Sequence, residues 1–273
     1  MLAKKSLGQN FLTDKNKIKE IVESLELKDG DVVVEIGPGH GELTEQIVKS
    51  GMEKVKRLIL IEKDEELVKD LKIKFQENKN IEIISGDILK IMPDLISHFP
   101  FPISHFKLVG NIPYYITGFL FRILGELENK PETIVLTIQK EVADRVCAEP
   151  PKNNLLAASV QYWAKTEIIS YISKKDFDPI PKVDSAIIKL SPQIDVDKTQ
   201  IDADKYYRFI KILFKQPRKT ILNNIESGII NNVSGIMSKG EIVKKLEEAE
   251  INPKDRAQNL SINKIVELSK IFK

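Results

Sequence analysis

The chain has 273 residues, with 42 Lys plus Arg against 40 Asp plus Glu, a formal charge of +2 and 42% apolar residues. That length and apolar content suit one large or two modest domains with a real core. A charged content of 30%, without an apolar run near the ~18 residues of a membrane helix, excludes an integral membrane protein, and its balance excludes a disordered acidic or basic chain. The early Lys4 and Lys5 are followed by polar residues with no apolar stretch, so no secretory signal is read. Cys147 is the single cysteine, which excludes an intramolecular disulfide framework and a cysteine zinc site. The expectation is a reducing, cytoplasmic setting.

Along the chain, Ile18, Ile21, Val22 and Leu25 mark one face of a helix. Asp31–Ile36, following the turn signal Asp29-Gly30, reads as a buried strand. A helix over 41–50, a strand over Arg57–Ile61, an amphipathic helix from about Asp64 to Phe75 and a strand over Ile81–Ile84 come next. Lys107–Gly110 and Thr133–Gln139 read as further strands, and Ala186–Leu190 as a late, antiparallel edge partner. This alternation predicts an α/β fold, a doubly wound, mostly parallel Rossmann-like sheet with helices on both faces. A polar stretch, Ser191–Asp204, separates it from a tail with helical patterns and no strong strand. The expected domains are 1–192 and 203–273.

The small net charge hides a partition. Residues 1–19 hold five lysines against Asp14, and residues 205–222 hold Lys205, Arg208, Lys211, Lys215, Arg218 and Lys219 with no acid. On a helical wheel Lys205, Arg208, Lys211 and Lys215 fall within about 120°, opposite Tyr206, Phe209, Ile210, Leu213 and Phe214. Such a face is either merely solvated or a surface for a polyanion, and two basic segments in one chain favour the second reading.

The first strand runs into Glu35-Ile36-Gly37-Pro38-Gly39-His40-Gly41. Glycines at this place let the backbone turn tightly and approach a ligand. The third glycine comes one residue too early for the dinucleotide fingerprint G-x-G-x-x-G, and Glu35 suits a cationic or zwitterionic ligand better than a diphosphate. A plain strand–helix turn is the alternative. Glu62 follows the second strand, where a carboxylate can accept hydrogen bonds from ribose hydroxyls. Asp87 follows the third strand and can accept from an adenine amine. Each alone reads first as an ordinary helix cap or surface acid; three acids at the carboxyl ends of successive strands point to a ligand site.

After the fourth strand stands Asn111-Ile112-Pro113-Tyr114-Tyr115. An Asn oxygen and a backbone carbonyl held by Pro can accept both N–H bonds of an exocyclic amine while Tyr114 stacks on the ring. That arrangement catalyses by orientation and preorganisation, without a strong base, and requires the base to leave its stack. A Pro-terminated strand with a core Tyr is the other reading.

Together with Gly8-Gln9-Asn10-Phe11-Leu12, Gln139-Lys140-Glu141-Val142, the segment Phe177–Ser185, Phe214–Thr220 and Ile251–Ser261, these motifs resemble the ribosomal RNA adenine N6-dimethyltransferase family, and within it the bacterial small-subunit (16S) branch. The resemblance runs from about residue 6 almost to the end. It implies methyl transfer from S-adenosyl-L-methionine to N6 of two adjacent adenosines near the 3′ end of small-subunit rRNA, twice on each, in ribosome biogenesis. It places Asn10, Leu12, Gly37, Glu62, Asp87 and Asn111 on the cofactor, and Asn111, Tyr114 and Phe177 on the target adenine, with Phe177 stacked on the second face. Read bare, Phe177 is a loop aromatic that belongs in a core. The implied division is a catalytic domain over 1–192 and an rRNA-binding helical domain over 203–273, the latter carrying Lys205, Arg208, Lys211, Lys215, Arg218 and Lys219. The implied partner is a pre-mature small ribosomal subunit, met by a monomer without membrane or metal.

Two residues depart from the branch. Ile112 stands where Leu is usual, a variant commoner in the resistance branch acting on large-subunit rRNA, and Pro217 stands where a basic residue is common. His40, His98 and His105 fit no metal spacing, and Cys147 and Trp163 read as apolar residues of predicted helices. The alternatives are the large-subunit resistance enzyme, a non-catalytic ribosome-assembly or transcription factor on the same fold, and a nicotinamide oxidoreductase, which the glycine register disfavours.

Overall fold

The computed structural model describes residues 4, 7–51, 53–98, 106–193, 202–229 and 237–272; the side chains of 94–98 and 229 are outside the description. His105 and the side chain of His98 therefore lie outside the described residues. Two compact units are present, Met1–Ala143 with Lys165–Pro192, and Asp144–Ala164 with Gln193–Lys273.

The first unit is built on β1 (Phe11–Leu12), β2 (Asp31–Ile36), β3 (Val55–Glu62), β4 (Ile81–Ser85), β5 (Phe106–Asn111), β6 (Thr133–Gln139), β7 (Ala164–Ile172), β8 (Phe177–Asp178) and β9 (Ser185–Pro192). Seven of these form one sheet in the order β4-β3-β2-β5-β6-β9-β7. Pairing is parallel from β4 through β6, and β9 joins β6 antiparallel, as the late-strand reading expects. The apolar runs Val33-Val34, Leu58–Ile61, Leu108-Val109 and Ile134–Leu136 are none of them more than 2% exposed, because helices cover both faces. The chain reverses direction across the sheet between β2 and β5. Ile36 pairs with Ile61 on one side and Gly110 on the other, so Gly37, Glu62 and Asn111 emerge level at one edge. That edge is where open α/β sheets take ligands.

Helix α1 (Lys15–Ser24) buries Ile18, Ile21 and Val22 and is capped by Asp14, whose side chain accepts from the N–H groups of Asn16 and Lys17. Helices α2 (Glu42–Gly51), α3 (Glu65–Lys74), α4 (Ile88–His98), α5 (Thr117–Glu126) and α6 (Lys140–Val146) follow. Two elements escape a reading of pattern. β7 is an end strand with most residues half-buried or exposed, so it carries no continuous apolar run. β1 and β8 are two residues each, and only their mutual pairing, Leu12 with Phe177, makes them strands.

The second unit holds α7 (Leu155–Gln161), α8 (Ala203–Leu213), α9 (Ile221–Ile229), α10 (Lys239–Glu248) and α11 (Ile262–Ile271). Residues 144–164, placed with the sheet by the sequence boundary, pack here instead. The Tyr206 hydroxyl donates to the Ala158 carbonyl at 2.9 Å, Asn153 Nδ2 donates to the Leu260 carbonyl at 3.0 Å, and the Tyr162 and Tyr206 rings stack at 4.0 Å. Buried Ala157, Ala158 and Val160 give α7 an apolar face. Trp163 is buried just past α7 rather than within it, and Cys147 is half-buried just past α6.

Candidate active site

A cavity opens at the carboxyl edge of the parallel strands. It is lined by the N-terminal segment from Leu7 to Leu12, the loop after β2, Glu62 and Lys63 after β3, Gly86 to Ile88 after β4, and Asn111 to Ile116 after β5. Asn10, Leu12, Gly37, Glu62, Asp87, Asn111 and Tyr114, separated by up to about a hundred residues, are thus brought to one wall system.

Phe177 is not on that lining. Its ring is 2% exposed and packs in the core with Leu12, Ile18 and Ile21, as the bare reading of a loop aromatic had it. It nonetheless sits opposite Leu12, which does line the cavity.

The acids are held in different ways. Glu35 is 1% exposed, and burial pushes its carboxyl up to about 8 although the Thr44 hydroxyl donates to it at 2.7 Å. Glu62 takes the Gly39 N–H at 3.2 Å on one oxygen and the Asp64 N–H at 2.9 Å on the other; burial still raises its proton affinity. Two backbone amides fix that carboxylate in rotation, which a ribose-binding acid needs. Burial works against the charge of Asp87, but Lys63 Nζ at 2.9 Å and the Leu89 N–H at 3.0 Å leave its carboxyl below the ordinary value. Asp64 caps α3 and is tied to the N-terminal segment by Lys4 Nζ at 2.7 Å and Gln9 Nε2 at 3.1 Å. Gln9 and Asp64 carry no signal as a pair in the sequence, since 55 residues separate them.

At the end of β5, Asn111 Nδ2 donates to the Asn10 carbonyl at 2.9 Å. This bond joins the NIPYY segment to the N-terminal one and orients the side-chain amide with its oxygen free to accept. Pro113, with φ −56°, leads into a single 3₁₀ turn, Tyr114–Ile116. The Tyr114 hydroxyl shares a hydrogen bond with the buried Ser185 Oγ at 2.7 Å, so the ring is held at both ends. Ser185 belongs to the Phe177–Ser185 motif, but its partner is visible only in three dimensions.

The residues present fit S-adenosylmethionine. Gly37 has φ 61°, and a Cβ built there meets no atom within 4 Å, so its bare backbone borders open cavity. Glu62 and Asp87 give the cavity acceptors suited to ribose hydroxyls and an adenine amine, and Asp87 a negative charge; Glu35, buried and raised to about 8, adds no charge near neutrality. Among the described residues no group of three or more His, Cys, Asp or Glu is arranged to hold a metal ion, and no helix is long and apolar enough to cross a membrane. The His40 ring rests against Phe11, centroids 4.3 Å apart, off the cavity lining.

In the second unit all six candidate RNA-facing cations are exposed. Lys205, Arg208 and Lys211 share the outer face of α8, whose inner face buries Tyr206, Phe209, Ile210 and Leu213. The wheel placement of Lys215 does not hold, because α8 ends at Leu213; Lys215 stands in the following turns with Arg218 and Lys219. Turns around Pro217 follow the helix where continued periodicity was expected.

The profile of the family described as "Ribosomal RNA adenine dimethylase" matches residues 1–273. The chain is 38% identical to "Ribosomal RNA small subunit methyltransferase A" of Mycoplasma mycoides subsp. mycoides, over 98% of this chain and 97% of that one. It is 36% identical to the protein of the same name from Fusobacterium nucleatum, over the same shares. A crystal structure of a dimethyladenosine transferase from Plasmodium falciparum superposes with a TM-score of 0.76 at 25% identity, over 94% of this chain and 95% of that one. That of the 23S rRNA methyltransferase ErmE gives 0.72 at 23% identity, over 96% and 99%, and shares the fold.

Proposed function

The chain belongs to the ribosomal RNA adenine dimethylase family, and we propose that it transfers methyl groups from S-adenosylmethionine to N6 of two adjacent adenosines near the 3′ end of small-subunit rRNA, giving N6,N6-dimethyladenosine. The observation that carries this reading is Asn111, tied to Asn10 at 2.9 Å in the same cavity as Glu62, Asp87 and Gly37. When bound, S-adenosylmethionine supplies an electrophilic methyl group on sulfur. Glu62 takes the ribose hydroxyls, Asp87 the adenine amine of the cofactor, and Gly37, Asn10 and Leu12 close around its remaining surface. The free oxygen of Asn111 accepts an N–H of the target amine, which aims the nitrogen lone pair at the methyl group. Tyr114, braced by Ser185, stacks on the base; Phe177 covers the other face once turned from the core toward the cavity. Each of these groups orients or stabilises, so no strong base is needed.

The first unit is the catalytic one, and the exposed cations from Lys205 to Lys219 in the second take rRNA phosphates. The substrate is a pre-mature small subunit, met by a cytoplasmic monomer. The small-subunit reading is supported over the large-subunit one by full-length relatives at 36–38% identity that carry the small-subunit name. An intact Asn111-x-Pro-Tyr speaks against a purely structural factor. The test is methylation of unmethylated small and large subunits with the product adenines mapped. Label at two adjacent small-subunit adenosines is expected, and label confined to large-subunit RNA overturns the assignment. Asn111→Ala should abolish transfer while weakening cofactor binding less; full activity in that variant refutes the pocket.

A further inference from the structure

The turn carrying Tyr114 continues without a break into α5, and the solvent side of this continuous helix is unusual. Tyr115 is 55% exposed and Phe119 64% exposed, with Gly118 and Arg122 on the same side. Positions three and four apart on a helix are neighbours, about 5–6 Å between Cβ atoms, so the two side chains leave the same side one turn apart. A Cβ built on Gly118 meets nothing within 4 Å, which leaves the space beside the rings open. Large aromatics ordinarily seek burial, whereas the opposite face of α5 buries Leu120, Phe121 and Leu124 in the regular way. Tyr115 also lines the cavity mouth, beside Gly8 of the N-terminal segment. The stripe therefore starts where Tyr114 enters the cavity and runs outward along α5. It ends at Arg122, whose Nε is bound at 2.9 Å to the exposed Glu126, an exposed pair that water or a phosphate can open at little cost.

We propose that Tyr115, Gly118, Phe119 and Arg122 form a stacking platform for the unpaired nucleotides flanking the target adenosine in single-stranded RNA. The proposal rests on the reading above that the cavity receives an rRNA adenosine. A base drawn out of its stack leaves its neighbours with exposed faces. Aromatic rings at the cavity mouth replace that lost stacking irrespective of sequence, and an arginine at the end of the row adds a cation for the backbone or a further base face. Continuity with the base pocket and the pairing of rings with a cation favour RNA over a protein partner.

Phe119 tests this cleanly, being exposed and off the cavity lining. In the full chain, Phe119→Ala and Phe119→Leu should raise KM for unmethylated small subunits about 5- to 150-fold, the range of one base–aromatic stack. S-adenosylmethionine affinity and Tm should stay at wild-type values, and Phe119→Tyr should keep wild-type KM. Binding to a protein-free single-stranded rRNA 3′ fragment should weaken in parallel. Wild-type KM for Phe119→Leu, or no effect of Phe119→Ala, overturns the platform; so does an effect on subunits absent with the protein-free fragment, which would mean a protein contact. Failure of the underlying reading looks different: the wild-type chain would then methylate no small-subunit adenosine at all.

Discussion

Replacing Gly37 by alanine separates backbone strain from occupation of the cofactor space. Gly37 has φ 61° and its N–H donates to the Ile61 carbonyl at 2.9 Å, so the peptide is fixed in the left-handed region. An alanine there costs about 1–2 kcal/mol, or roughly 2–8 °C in Tm for a chain of this size. Its methyl meets no protein atom, so the fold need not rearrange further. With Gly37 on the cofactor wall, as proposed, the same methyl intrudes on the bound cofactor, and overpacking of that kind costs about 1–3 kcal/mol, a weakening of roughly 5- to 150-fold. Gly30 supplies the control, with φ 87°, an equally open Cβ position and no place on the cavity lining. Gly30→Ala should lower Tm by a similar amount and leave cofactor affinity unchanged. Calorimetric titration of S-adenosylmethionine and thermal unfolding of both variants read the two effects separately. Wild-type affinity in Gly37→Ala, or an equal loss in Gly30→Ala, would refute the assignment of Gly37 to the cofactor wall.

Glu35 makes stability depend on pH. Its carboxyl is raised from the ordinary 4.5 to about 8 by burial, so the folded state holds the proton more tightly than the unfolded one. The stabilisation is complete below about pH 4.5 and is lost as pH rises toward 8, with a slope approaching ~1.4 kcal/mol per pH unit. Denaturant unfolding of Glu35→Gln across that window should lack this decline, and an identical pH profile would show that Glu35 stays ionised. Lys107 is buried and paired with Asp31 at 2.9 Å, also donating to the Leu25 and Glu26 carbonyls. Lys107→Met strands a buried carboxylate and should destabilise by about 3–5 kcal/mol in urea titration, with Asp31→Asn added to it restoring much of the loss. Reversing Lys211 and Lys215 to Glu should weaken rRNA binding and flatten its dependence on salt; unchanged binding would mean that this face is only solvated.

The order of helices and strands was legible because buried parallel strands are continuous apolar runs, and Asp31–Ile36 and Thr133–Gln139 match their predicted bounds. The acids at the strand ends were legible for a related reason: in a parallel sheet, chain order alone puts the residues after each strand on one edge. β7 was not, since an end strand faces water and loses its apolar signature, and α8 stops two residues short of Lys215 for want of any sequence mark other than Pro217. The amino-acid sequence by itself determined the sheet, the glycine loop, the gathering of Glu62, Asp87 and Asn111 at one sheet edge, and the family. Tertiary structure alone decided that Asn10 holds Asn111, that Ser185 braces Tyr114, that Phe177 lies in the core, and that residues 144–164 pack with the C-terminal helices. Those contacts join residues up to 165 positions apart through single hydrogen bonds or ring packing, and nothing in local periodicity encodes a partner at that distance.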